Sequence, residues 1–542
     1  MKKIIKLIKL MFLSGAVLLV SCETTNLDLT ENPNALTPSQ ADPDFFLNAI
    51  QEDFAREIVE PFGRSGAEVV RIDYMDGRDY ANAYSPSNFD TEWRFAYQRI
   101  MEDISKMNDL AVDAGLNRHI GMGQVIQAYT LITLVDFFGD VPYSEALHGS
   151  DNLNPNADSG ESVYAAAIAL LDAAIVNFSG EAASNPQHDF FYDNDWEKWT
   201  KAANTIKMKA YLASRLVDAS AIGNFMNIVD SGNYIASNSD DFQFSWGSNE
   251  VAPDTRHPRY SGSYTSTGGE DYMANWFMNE MLTSNDPRRF YYFYRQVANA
   301  PGYGADPDEE TLECSLYAPP SHYDGYVYCA VEEGYWGRDH GNDNGIPPDG
   351  FTRTLAGVYP AGGAFDDSSY HSKKNGDGNG GNGITPVLLS SWTDFWIAEL
   401  KMKDGDVAGA KASMLDGISK SVSKSTSFAV NDDPNESDNI DNHYTNMGNS
   451  FDNASDKMAV ISVQYFLASY GNGIDAYNFY RRTGYPKTLQ PNIEPNPGGF
   501  IRSFPYPANY ANTNSNATQK DGVGVQVFWD TNSSSPGFPI SN

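Results

Sequence analysis

Gly376, Gly378 and Gly381, within "GDGNGG", stand at the spacing of a dinucleotide-binding turn. That turn needs a strand before its glycines and a helix after them, and "HSKKN" precedes them here in a run of glycine and asparagine. The same run opens like a calcium loop with Asn375, Asp377, Asn379 and Gly380, but Pro386 fills the twelfth position, where a bidentate glutamate should close the shell. No His-Glu-x-x-His zinc motif and no Gly-x-Ser-x-Gly nucleophile elbow occurs. The reading is therefore no cofactor and no metal site, with a structural calcium ion in some other loop left open. Carboxylates are so numerous that any two could converge as a glycosidase pair. Their number alone argues only for a solvated surface.

Aromatic residues carry more information, at 13% of the chain. Many tyrosines sit among Gly, Asp, Asn and Arg instead of on helical stripes: "DYMDGRDYANAY" (73–84), "HPRYSGSY" (257–264) and "YDGYVYCAVEEGYWGRDHG" (323–341). A rigid ring beside hydrogen-bonding side chains can hold a sugar ring or a peptide side chain. The competing reading is that such rings pack their own loops. Cys314 and Cys329 flank the tyrosine- and proline-rich "CSLYAPPSHYDGYVYC". Two thiols outside the cytoplasm read as a disulfide, since a metal site would need two further ligands; two unpaired buried thiols are the alternative. Closing a loop of that size constrains the unfolded chain by about 3 kcal/mol.

The chain begins with Lys2, Lys3, Lys6 and Lys9, then an apolar stretch from Met11 to Val20 and the sequence Leu-Val-Ser-Cys ending at Cys22. This is a signal peptide over 1–21, followed by a lipobox-like cysteine. Acylation of Cys22 would hold the protein on a membrane, because several chains on one residue anchor where a single one is marginal. An ordinary cleaved signal with an incidental cysteine is the other reading. No later run of 18 uninterrupted apolar residues exists, so no other span is expected. Without residues 1–21 the chain has 33 basic against 71 acidic residues, a net charge of −38. That excludes nucleic acid, whose binding requires Lys and Arg to displace counterions.

The elements that must position these loops are mostly helical. Trp196, Trp199, Ala203, Ile206, Ala210, Ala213 and Val217 follow spacings of three and four, with Lys198, Lys201, Lys207, Lys209 and Arg215 on the other side. Asp158 and Glu161 suggest a capping box before the stripe Val163, Ala167, Leu170, Ala174 and Phe178. Residues 124–138 are apolar on nearly all sides, as in a helix buried within a bundle, and 391–422 reads as two helices joined at Asp404-Gly405. Paired helices with alanine at close-packing positions predict a mainly α, tetratricopeptide-like scaffold with degenerate repeats and a few short strands. The expected organisation is a tether over 22–40 and one domain over 41–542, with helices over about 44–235 and 390–480. Long irregular loops over about 238–385 would carry ligand and partner contacts.

Several stretches occur in an order that resembles one family. They are "VDFFGDVPYSEAL" (135–147), "WEKWTKAANTIKMKAYLASRL" (196–216), "NDPRRFYYF" (285–293), "NFYRRTGYP" (478–486) and "RSFPYPANYANTN" (502–514). Together with the early "NPNAL" they look like the signatures of SusD/RagB outer-membrane nutrient-binding lipoproteins, specifically the SusD-like second group. One departure is Gly121-Met122-Gly123-Gln124, where relatives often carry Gly-Glu-Ala and a basic residue. The resemblance implies a cell-surface lipoprotein that binds an oligosaccharide without covalent chemistry. It would act as the lid of a SusC-like TonB-dependent barrel, facing the exterior of the outer membrane. A peptide-binding RagB-like subunit and a surface glycoside hydrolase are the alternatives. Placed on this sequence, the ligand positions are Tyr74, Arg78, Tyr80, Tyr84, Trp246, Arg256, Tyr260, Trp336 and His340. The rings would stack, and Arg78, Arg256 and His340 would hydrogen-bond hydroxyls or carbonyls.

Overall fold

A computed structural model describes residues 42–264, 269, 271–298, 318–343, 352–362, 366, 377–429, 433 and 435–532. Cys22, the tether and Cys314 lie outside these residues.

The first helix, α1 (Pro43–Asp53), is capped by Asp42, whose side chain accepts from the Asp44 N–H. It continues through a π-helical stretch, Phe54–Val59, into α2 (Glu60–Val69). After an irregular loop come the short α3 (Tyr80–Ala83) and α4 (Asp90–Arg94), a second π-helical stretch, Phe95–Met101, and α5 (Glu102–Ala114). The apolar segment is a helix as expected but longer, α6 (Asn117–Phe138). Helices α7 (Gly160–Ser179), α8 (Trp196–Ser214) and α9 (Ala221–Ser231) complete the first helical half. The middle of the chain is not all loop. It holds α10 (Pro258–Ser263), α11 (Asn275–Thr283) and α12 (Arg289–Tyr292), and Trp276, Phe277 and Met278 of α11 are core residues. Strands β1 (Phe242–Ser245) and β4 (Ile384–Leu388) pair antiparallel, as do β2 (Phe293–Tyr294) and β3 (Leu355–Ala356). The second half contains α13 (Ser390–Lys403), α14 (Val407–Phe428), α15 (Glu436–Asn453), α16 (Lys457–Ala468) and α17 (Ile474–Thr483), with α18 (Ala508–Thr513) near the end. The fold is mainly helical, and its most extensive helix–helix contacts join consecutive helices, α6 with α7 and α13 with α14.

Three details differ from the sequence reading. Ser159, not Asp158, caps α7 by accepting from the Ser162 N–H at 3.3 Å, and the Asp158 carboxylate is taken by the Tyr143 and Ser144 N–H groups at 2.8 Å each. Val217 falls beyond the end of α8 and is exposed. Lys209, placed by spacing on the wet side of α8, is buried against Asp475 and lies 3.5 Å from Asp136. A buried ammonium persists only where carboxylates meet it, and here two distant segments supply them.

Asp136 also explains why the separate signature stretches belong together. Its carboxylate takes the Asn478 amide at 2.6 Å, the Trp529 indole at 3.1 Å and the Tyr164 hydroxyl. Arg481 donates to Asn478 Oδ1 and to the Arg502 carbonyl at 2.6 Å each, with its guanidinium 3.7 Å from the centre of the Tyr477 ring. One buried polar network thus ties α6, α7, α8, α17 and the C-terminal segment into a single core.

Where α17 begins it meets α2 backbone to backbone: the Gly473 N–H donates to the Gly63 carbonyl at 2.9 Å. A Cβ on Gly473 would lie 2.1 Å from the Ala67 nitrogen, so only glycine permits this approach.

Candidate functional site

The loop after α2 walls two neighbouring cavities. One, of about 620 Å³, is bounded by Arg56, Glu60, Arg64, Glu68, Tyr84 and Glu92 among others. Its charges are largely spent on each other: Arg64 bonds Glu68 at 3.0 Å and also pairs with Asp271, while the Tyr84 hydroxyl donates to Glu68 at 2.8 Å. Burial pushes the Glu92 carboxyl up to about 7, so it enters neutral conditions partly protonated.

The second cavity has the chemistry of a ligand cleft. It measures about 560 Å³ and is lined by Arg71, Tyr80, His322 and Tyr326 and by the stretch Pro491–Phe500. Its back wall is fixed. Arg71 donates through Nε to the Gln490 carbonyl at 2.7 Å and through Nη1 to the Tyr80 hydroxyl at 3.0 Å, and Tyr80 packs edge-on to Phe500 at 5.6 Å. The loop carrying Tyr326 is pinned by His322 Nε2, which donates to the Asn492 carbonyl at 2.9 Å, and by the Tyr323 hydroxyl, which donates to the Pro491 carbonyl at 2.9 Å. Cys329, at the end of that loop, is disulfide-bonded. Against this scaffold stand groups with nothing to bond. The Tyr326 hydroxyl and the Asn496 amide have no hydrogen-bond partner among the described residues, and the Asn492 Nδ2 is buried and unpartnered. An apolar cleft with a few convergent, unsatisfied polar groups is the usual form of a small-molecule site.

The nine residues singled out in the sequence are not brought together. Tyr80 lines the aromatic cleft and Tyr84 the charged cavity. Arg78 is exposed at the rim, bonded to Asp343 at 2.7 Å, and Asp343 and Glu494 together raise its pKa, the Asp343 hydrogen bond most. His340 does not face a ligand. It is fully buried behind Tyr80, with ring centres 5.7 Å apart. Burial first, and Arg71 second, hold it well below the ordinary histidine range, so it is neutral. Tyr74 is buried under Arg338, whose Nη1 donates to the Tyr74 hydroxyl at 3.2 Å. Trp246 is buried beside the β1–β4 ribbon, donating to Thr385 Oγ1 at 2.8 Å with Arg56 over its ring. Tyr260 stacks on Tyr264 at 4.5 Å and is 1% exposed, and Arg256 caps it while clamped to Asp254 at 2.7 Å. Trp336, also 1% exposed, donates to the Thr352 carbonyl at 2.8 Å under Arg353. Rings so covered have no face to offer a ligand: Tyr74, Trp246, Tyr260 and Trp336 pack their own loops.

Asp377 of the calcium-like run is likewise absorbed. Asp377 accepts the Tyr294 hydroxyl at 3.0 Å and, through its carbonyl, the Tyr260 hydroxyl at 2.9 Å. Among the described residues no group of three or more His, Cys, Asp or Glu is placed to hold a metal. What the sequence reading passed over is "QPNIEPNPGGF", residues 490–500, which forms one side of the cleft. Its signal was a Pro, Asn and Gly run ending in an aromatic, directly after the "NFYRRTGYP" stretch.

The description "Starch-binding associating with outer membrane", that of the SusD-like second group, matches residues 33–314. That is more than half of the chain. The chain belongs to the SusD/RagB family of outer-membrane nutrient-binding proteins. Residues 402–530 match the companion description "Susd and RagB outer membrane lipoprotein". Solved SusD-like structures share the fold. A SusD/RagB family protein from Bacteroides thetaiotaomicron is 18% identical, covering 91% of this chain and 100% of that one with a TM-score of 0.60. A SusD homologue from Bacteroides fragilis is 17% identical over 91% and 99% of the two chains, with a TM-score of 0.64. A chitin-binding SusD homologue from Flavobacterium johnsoniae is 18% identical over 91% and 99%, with a TM-score of 0.59. No curated protein matches the SusD-like chain significantly.

Proposed function

We propose that this SusD/RagB protein captures an oligosaccharide in the cleft between Tyr80, Tyr326 and Phe500. Held by lipid at Cys22 on the outer face of the outer membrane, it would hand the glycan to a SusC-like TonB-dependent barrel for which it is the lid. The observation that carries the binding site is the cleft itself, with aromatic walls on a fixed frame and unspent donors and acceptors at Tyr326 and Asn496. Such a surface exchanges water for sugar hydroxyls while the ring's C–H face lies on an aromatic. The chemistry proposed for it is reversible binding. The outer-membrane family and the chitin-binding structural relative support a glycan and make chitin oligosaccharides the first probes.

Calorimetric titration of the mature protein with chitohexaose and maltohexaose tests the reading. One of them is expected to bind unchanged in covalent structure, and Tyr326→Ala is expected to weaken it at least about tenfold, equivalent to about 1.4 kcal/mol. Binding of mixed peptides with no glycan bound would move the protein to the RagB-like peptide class, and release of shortened sugars would make it a hydrolase.

A further inference from the structure

The stretch 71–98 lines not two cavities but three, and the third is untouched by the reading above. Beyond α4 lies a cleft of about 450 Å³ bounded by Trp93, Tyr97, Tyr510, Leu147 and Leu153, with Arg94, Gln98 and Asn514 at its edge. The ring of Trp93 lies 5.0 Å from Tyr97 and 4.7 Å from Tyr510, tilted by 39° and 34°. These are tilted, face-inclined contacts that make one aromatic wall.

The wall is built in advance of any ligand. Asp158 and Glu145 pin the loop carrying the leucines, Glu145 accepting the Asn156 N–H at 3.0 Å. The start of α18 is tied to α4 by the Asn509 N–H donating to Asp90 Oδ1 at 2.8 Å, and its end to the leucine loop by the Asn514 amide donating to the Pro155 carbonyl at 2.8 Å. Two features of this frame bear on what it could hold. Leu147 holds a left-handed backbone (φ 64) with its side chain 40% exposed, and Leu153 is 74% exposed. Left-handed geometry in a non-glycine residue costs about 1–3 kcal/mol and persists where the surroundings impose it, often at binding sites. Secondly, three donors of the cleft make no hydrogen bond within the fold among the described residues, although the Asn514 amide does. Trp199, Trp246, Trp336, Trp392, Trp396 and Trp529 each give their indole N–H to a partner within the fold. Trp93, like Trp196 and Trp276, does not among the described residues, nor do the Tyr510 hydroxyl and the exposed Gln98 amide. The Tyr510 hydroxyl is also pushed up to about 12 by burial, so it stays a neutral donor.

We propose that the Trp93–Tyr510 cleft is a second carbohydrate subsite, taking a neutral sugar ring against Tyr510 and Leu153 with its hydroxyls on Trp93 Nε1, Tyr510 Oη and Gln98. The inference rests on the glycan reading of the Tyr326 cleft. Two subsites along one surface would let a polymer engage twice, the second contact drawing on the high effective concentration set by the first.

The test is the binding stoichiometry of the mature protein with the short probes chitotriose and maltotriose. Two equivalents are expected for wild type and one for Tyr510→Ala. Trp93→Phe, which keeps a ring in the wall and removes its N–H, should weaken the second equivalent, and thermal unfolding checks that both variants fold. Stoichiometry that Tyr510→Ala and Trp93→Phe leave unchanged, while Tyr326→Ala lowers it, would overturn the second subsite and spare the first. Absence of saturable binding by either sugar would overturn both. Loss of a co-purifying barrel from Tyr510→Ala with the sugar count intact would overturn the subsite and make this face a protein contact.

Discussion

Asp286 shows how single residues in this protein couple charge to folding. It is wholly buried, bonded to Arg288 Nε at 2.9 Å and Nη2 at 2.6 Å, with His443 at 3.5 Å. Burial works to raise its pKa, but Arg288, then His443, overcome that and bring the carboxyl to about 2. A carboxyl whose folded pKa lies below its unfolded value contributes stability above the unfolded value, near pH 4, and loses it as pH falls through about 2. The contribution is on the order of 2 kcal/mol. Asp286→Asn leaves the buried Arg288 unpaired, so it should destabilise the protein at pH 7 by about 3–5 kcal/mol. The gap from wild type should narrow between pH 4 and 2, where the wild type alone loses this term. Denaturant unfolding at several pH values measures both, and a gap constant down to pH 2 would contradict the assignment.

Elements were legible in the sequence to the extent that their signal was local. The apolar segment 124–138, the α8 stripe and the break at Asp404-Gly405 are set by spacing and turn chemistry, and the structure has all three. Lys209 and the rings of Tyr260 and Trp336 were not legible, because their burial depends on partners such as Asp475, Asp377 and Thr352 far along the chain. A tyrosine amid Gly and Asp reads alike whether it packs its loop or faces solvent. Only Tyr80 of the nine sequence candidates therefore lines the aromatic cleft, and Tyr326 and Phe500 emerge from tertiary structure. The junction of α2 with α17 makes an element-scale prediction. In Gly473→Ala the new methyl would meet the Ala67 backbone at 2.1 Å, and backbone cannot rotate away as a side chain can. Overpacking of this kind costs about 1–3 kcal/mol or more. The variant should unfold at lower denaturant than wild type, whereas Gly223→Ala, at a position with open space around it, should be neutral or stabilising.

At the scale of the whole molecule, a helical body carries the candidate clefts on its loops, and the strongly acidic chain is unsuited to nucleic acid. The α6, α8 and α17 network around Asp136 joins the two helical halves of that body through buried polar contacts. The proposal that the protein is the lid of a transporter is tested most directly by purifying the full-length protein from gently solubilised outer membranes and identifying what accompanies it. The account predicts a large TonB-dependent barrel in near-equal amount. Recovery of the protein alone, under conditions that preserve known lid and barrel pairs, would contradict it.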